Sequence, residues 1–159
     1  MVDRTPRELS PKRLLVSWLP AALWAGLIFY LSSQSEVAAP GPVGRLPGWT
    51  YIGHWCEYFI LGALLFRGVW LSWGRGEGQG QAAPATAGAP SGSGDLRWSR
   101  RYLVAIVIGA LYAASDEWHQ AYVPGRTADI SNWMTDLAGA LLGALAVALW
   151  QLGRDRKSP

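Results

Sequence analysis

The chain has 159 residues, half of them hydrophobic, with ten tryptophans and only 16% charged residues. That length bounds it to a single domain. Its formal net charge of +3 is carried by arginines at loops and termini without interleaved aromatics, which excludes a nucleic-acid-binding stripe. A lone cysteine, Cys56, excludes an intrachain disulfide; set in an apolar run, it is expected to be a small packing residue rather than a nucleophile.

Charge avoids four segments and collects between them. Residues 1–13 are polar and basic, with Arg4, Arg7, Lys12 and Arg13. Residues 14–33 follow without a charge, and about twenty helical residues at about 1.5 Å each span the roughly 30 Å hydrocarbon core of a bilayer. Pro20 is tolerated in a membrane helix. A cleaved signal peptide is the rival reading, but the run exceeds the usual core of roughly 7–15 residues. Residues 35–50 form a loop rich in Pro and Gly. The second span, 51–71, carries His54 and Glu57 near its start and Arg67 near its far end. Residues 74–101 are expected to form a disordered cytoplasmic linker: 74–94 are mostly Gly, Ala, Pro, Ser and Gln, too poor in large apolar groups to offset the entropy of ordering.

The third span, 102–123, ends in Asp116, Glu117, His119 and Gln120 before Pro124 and Gly125 break the helix. On a helix Asp116, His119 and Gln120 share one face, and Glu117 lies about 100° round from Asp116. The fourth span, 130–152, carries Asp136 and a Gly139/Gly143 pair flanked by Ala140 and Ala144, a spacing that lets a neighbouring helix come close.

Allotting Lys and Arg to alternate sides puts twelve on the side of both termini and the 67–101 region. Only Arg45 and Arg126 fall on the other side. The positive-inside rule then makes both termini cytoplasmic. The expected fold is an all-α integral membrane four-helix bundle forming a single domain. In this orientation His54, Glu57, Asp116, His119, Gln120, Arg126 and Asp136 fall at similar depth towards the outer face.

Four blocks of the chain resemble the VanZ-like membrane proteins. They are Phe29 to Ser35, similar to F-x-L-S-S-Q; His54 to Gly62, similar to H-x-x-E-Y-x-x-L-G; Ser115 to Thr127, similar to D-E-x-H-Q…P-G-R; and Asp136 to Gly143, similar to D/N-x-x-G-x-x-x-G. The chain departs from that pattern at Thr50 and Tyr51, where relatives often have Asp-Lys, and at Asn132, where they often have Asp. The resemblance implies a multi-pass protein of a bacterial plasma membrane. The family takes its name from an accessory protein associated with low-level resistance to the glycopeptide teicoplanin, which implies a role in the cell envelope or in antibiotic tolerance.

Three readings of the polar residues stay open. In one they only hold the bundle together, although each such contact is worth about 0.6 kcal/mol. Burying a carboxylate at a helix centre costs about 2.5–3.5 kcal/mol, less near the interface. In the second, Gln120, Arg126 and Asp136 help bind membrane lipid or an anionic lipid-linked or glycopeptide ligand, Arg126 being suited to phosphate or carboxylate. Trp49, Trp55, Trp118 and Trp133 near the same boundary suit that level. In the third, His54, Glu57, Asp116, Glu117 and His119 perform acid–base or metal-assisted chemistry on a lipid phosphate. His54 with Glu57, and Asp116 with His119, are i, i+3 pairs of the kind used in bundle metal sites. Arg126 is expected to bind an anion or to pair with Asp136. No metal or cofactor motif is present, and neither H-E-x-x-H nor G-x-S-x-G occurs.

Overall fold

The structure is a computed structural model, and it describes residues 10–35, 49–73 and 93–155. Arg45, the side chain of Trp49 and the expected linker residues 74–92 lie outside the described residues. Four helices follow in order: α1 Pro11–Ser32, α2 Trp49–Ser72, α3 Ser93–Gln120 and α4 Ile130–Asp155. No strand occurs among the described residues. α1 opens on a Ser10 N-cap with Pro11 in its first turn, where a missing N–H costs nothing. α3 begins at Ser93, so the linker boundary expected at 101 is too late. The reason is aromatic: Trp98 stacks on Trp70 at 4.4 Å and on Phe66 at 6.0 Å, with Arg101 lying 4.3 Å over the Trp70 ring. The arginines that looked like a span boundary therefore stand on more than two extra turns of helix, pinned to α2.

α2 is the central element and packs against the other three helices. Tyr58, Leu61, Leu65, Phe66, Val69 and Trp70 on it are buried. α1 buries only Ser17, Ala21, Ile28 and Ser32, a stripe spaced four, seven and four residues apart, while Leu15, Val16, Leu23, Phe29 and Tyr30 stay exposed. Indole and phenol groups tie the helices through backbone carbonyls. Trp24 donates to Glu57 O at 2.8 Å, Tyr102 to Leu141 O at 2.9 Å, and Tyr112 to Ala25 O. Trp18 donates to Ser72 Oγ at 2.7 Å.

The α2–α4 crossing is made of glycine and alanine. A Cβ on Gly139 would lie 2.5 Å from the Trp55 carbonyl oxygen; one on Gly143 would fall onto the Phe59 carbonyl, and one on Gly62 onto the Ala140 carbonyl. Each helix thus presses glycine against the other's backbone, which gains dispersion contact at close range. Cys56, expected in packing, is instead exposed.

Four crossing helices were expected from the sequence. All four helices form, but among the described residues two, Pro11–Ser32 and Ile130–Arg154, are long and apolar enough to cross a membrane, with mean hydropathies of 1.9 and 1.5 in their most apolar stretches. α2 is interrupted by His54, Glu57 and Arg67, and α3 by its basic start and acidic end.

The seam makes a direct prediction. Gly143→Val forces the two backbones apart and lowers stability by about 3 kcal/mol, at the upper end of overpacking costs. Gly153→Ala, which meets nothing within 4 Å, stays within about 0.5 kcal/mol of the parent. Tryptophan fluorescence during denaturation in detergent measures both.

Candidate functional site

The polar residues gather at one end of the bundle: the end of α1, the start of α2, the end of α3 and the start of α4. Three groupings can be told apart there.

The first joins α2 to α4. His54 Nδ1 lies 3.1 Å from Asp136 Oδ1, and Asp136 is fully buried. A carboxylate only accepts, so Nδ1 carries the proton and donates. Crossing glycines set this register, since Gly139, one turn beyond Asp136, rests on the carbonyl of Trp55, next to His54. The expected Arg126–Asp136 pair does not form: His54 meets Asp136 Oδ1, and Arg126 donates instead to carbonyls at the end of α1.

The second joins α3 to α1. Asp116 Oδ2 accepts from Ser32 Oγ at 2.8 Å and from Gln120 Nε2 at 2.9 Å. All three side chains are buried. Gln120, expected as a ligand group, is an internal donor one turn from Asp116. Tyr58 Oη, Asp116 Oδ1 and Asp136 Oδ2 are buried without a hydrogen-bond partner.

The third is open. A hollow of about 320 Å³ is lined by Leu31, Ser32 and Ser35 from the end of α1, by Thr50, Gly53, His54 and Glu57 from the first two turns of α2, and by Arg126 from the α3–α4 turn. Arg126 follows Gly125, whose φ of +80° reverses the chain. Its guanidinium donates to Gln34 O at 3.1 Å, just past the end of α1, and to Leu31 O at 3.3 Å, which also accepts from the Gln34 N–H. It has no carboxylate partner among the described residues. The N-terminal turn of α2 also faces this hollow, adding the partial positive charge of a helix start.

Two expected members stand apart. His119 is half-buried, stacks on Phe29 at 4.4 Å and meets Ser33 Oγ through Nε2 at 3.1 Å. It borders a separate, largely aromatic hollow of about 330 Å³ with Trp118 and Tyr122. Glu117 points to the other side of α3, where its Oε2 accepts from Asp129 N at 2.8 Å. That contact clasps the turn before α4, whose first residues Asp129 itself caps through Ser131 N. The spacing had put His119 on one face with Asp116, and so it is; yet Asp116 turns inward while His119 packs on the rim of α1. Within neither i, i+3 pair do the two side chains bond each other: His54 meets Asp136 of α4, and Asp116 accepts from Ser32 of α1 and from Gln120 on its own helix. Among the described residues no three His, Cys, Asp or Glu side chains are grouped so as to hold a metal ion.

Sequence reasoning passed over Ser32, Ser33 and Asp129. The serines lay inside a quoted motif, as polar residues ending an apolar run, and that was the available signal. Tyr58 gave none, since an aromatic at a core position reads as packing.

The fold and site together define an all-α four-helix protein whose helices are linked at one end by buried polar side chains. The chain belongs to the VanZ/LLP1 family, whose family model it matches over residues 17–151. Comparison with curated proteins and with solved structures gave no match.

The buried clip has a measurable strength. Asp116→Ala strands the Ser32 hydroxyl and the Gln120 amide in the interior at about 1–3 kcal/mol each, so stability falls by roughly 3 kcal/mol. Half-buried His119→Ala costs about 1 kcal/mol. Unfolding by titration with denaturing detergent ranks the two.

Proposed function

We propose that the chain is a four-span integral membrane protein with cytoplasmic termini, and that its outer-leaflet hollow binds the anionic group of a lipid-linked or glycopeptide ligand of the cell envelope. Support for the membrane setting comes from the apolar α1 and α4, from the single buried stripe of α1, and from the twelve-to-two bias of basic residues. An α1 that exposes most of its leucines and aromatics suits acyl chains rather than water.

The observation that carries the binding reading is Arg126. It is a planar donor of five N–H groups at the rim of a hollow, hydrogen-bonded to two carbonyls and, among the described residues, to no carboxylate, with Glu57 near enough to attract it. Anions gain there from both the guanidinium and the α2 N-terminus. Glu57, in the same wall, supplies an acceptor for the hydroxyl or ammonium part of a head group. Packing alone accounts for the Ser32–Asp116–Gln120 clip and the Glu117–Asp129 clasp, but it gives Arg126 and Glu57 no reason to share an open hollow.

Two experiments test this. In a Cys56→Ser background, a single cysteine at position 129 should react with a membrane-impermeant maleimide in intact cells, and one at position 155 should react only after lysis; the reverse pattern ends the topology. Purified protein should bind phosphatidylcholine vesicles containing phosphatidic acid more tightly than vesicles without it. Arg126→Ala should weaken that preference about 10- to 100-fold, as loss of charge-assisted hydrogen bonds requires. Arg126→Lys, a point charge without the fork, should recover part of it. An unchanged preference in Arg126→Ala refutes the site.

A further inference from the structure

The binding reading leaves the His54–Asp136 pair unused. A ligand pocket does not need a histidine in its wall backed by a carboxylate with no exposed surface. This arrangement has a recognised chemical use. A buried carboxylate that accepts from Nδ1–H fixes the ring and its tautomer, which leaves Nε2 as the basic nitrogen. Nε2 is then the ring nitrogen left for the hollow that His54 lines, and Arg126 and Glu57 line the same hollow.

We propose that this hollow is hydrolytic and that its substrate class is a lipid-borne phosphate ester or diphosphate. The proposal rests on the anion-binding reading above. Arg126 and the α2 N-terminus hold the phosphoryl oxygens, and no covalent bond to the protein forms. His54 Nε2 takes a proton from a water molecule as the water oxygen bonds to phosphorus. The bond from phosphorus to the bridging oxygen breaks, and the imidazolium returns the proton to that leaving oxygen. One water is consumed, and inorganic phosphate and a lipid alcohol or lipid monophosphate are released; no oxidant, reductant or further reactant takes part. His54 is the catalytic residue. Asp136 is a positioning residue, since it reaches the reacting atoms only through the imidazole. Asp116 from α3 and Glu57 on α2 are the other carboxylates near this ring and attract the imidazolium formed midway, while burial and Arg126, in the same hollow, oppose it. A general base of this kind is worth about 10²- to 10⁴-fold in rate.

The test uses the full chain in phospholipid nanodiscs with two probes, dioleoyl phosphatidic acid and farnesyl diphosphate, and measures released inorganic phosphate across pH. The wild type should release phosphate from at least one probe, at a rate that rises with pH as the imidazole loses its proton. The probe that turns over distinguishes a monoester from a diphosphate. His54→Gln should lower the rate at least about 100-fold with vesicle binding unchanged. Asp136→Asn should lower the rate and alter the pH profile, because an amide no longer enforces the Nδ1–H tautomer. His119→Gln, outside the hollow, should leave the rate unchanged. No phosphate release from either probe by wild-type protein that still binds phosphatidic acid overturns the hydrolytic proposal and leaves the binding reading standing. Loss of both overturns both. Turnover that survives His54→Gln also overturns the proposal, and that variant needs no intact Asp136 partner to be informative.

Discussion

The contact on which the arrangement depends is the bare backbone crossing of α2 and α4. Gly139 and Gly143 rest on the carbonyls of Trp55 and Phe59, and Gly62 meets that of Ala140. A seam so close tolerates neither a slip along the axis nor a rotation. It therefore fixes, one turn away, which residue of α2 faces Asp136. The His54–Asp136 pair follows from glycine placement as much as from attraction between the two groups. Attraction alone would be a poor guide: bringing two ionisable groups out of water costs several kcal/mol each, and the geometry must repay it.

The other helices are attached by different means. α3 is held at one end by stacked rings, Trp98 on Trp70 and Phe66, and at the other by the Asp116 clip to Ser32. α1 has one buried stripe, a few side-chain bonds to its neighbours, and Arg126 on its last carbonyls. Three polar devices at one end thus serve three purposes. The Asp116 clip closes α1 on α3, the Glu117 clasp shapes the turn into α4, and the His54, Glu57 and Arg126 wall stays open.

Much of this was legible in the chain. The four helices follow from runs free of charge, and the Gly139/Gly143 seam from small residues four apart. The gathering of polar groups at one end follows from their positions at alternate ends of successive helices. What could not be read was partner choice. Helical spacing says which residues share a face, and it joined Asp116 to His119 and His54 to Glu57. The actual partners, Ser32 and Asp136, lie more than eighty residues away in sequence, where only the packing of α1 and α4 decides. Arg126 was expected against Asp136 on charge alone, and the early start of α3 was hidden because three arginines outweighed one tryptophan in the reading.

Arg126 has one more implication. Its guanidinium adds a second donor to Leu31 O and reaches Gln34 O just past α1, a helix with no basic residue of its own in its last turn. An anion that recruited those N–H groups would release the tie between the end of α1 and the α3–α4 turn as it docked. Filling the hollow and loosening the least anchored helix would then be a single event, felt along α1 as far as the Trp18–Ser72 bond at its opposite end.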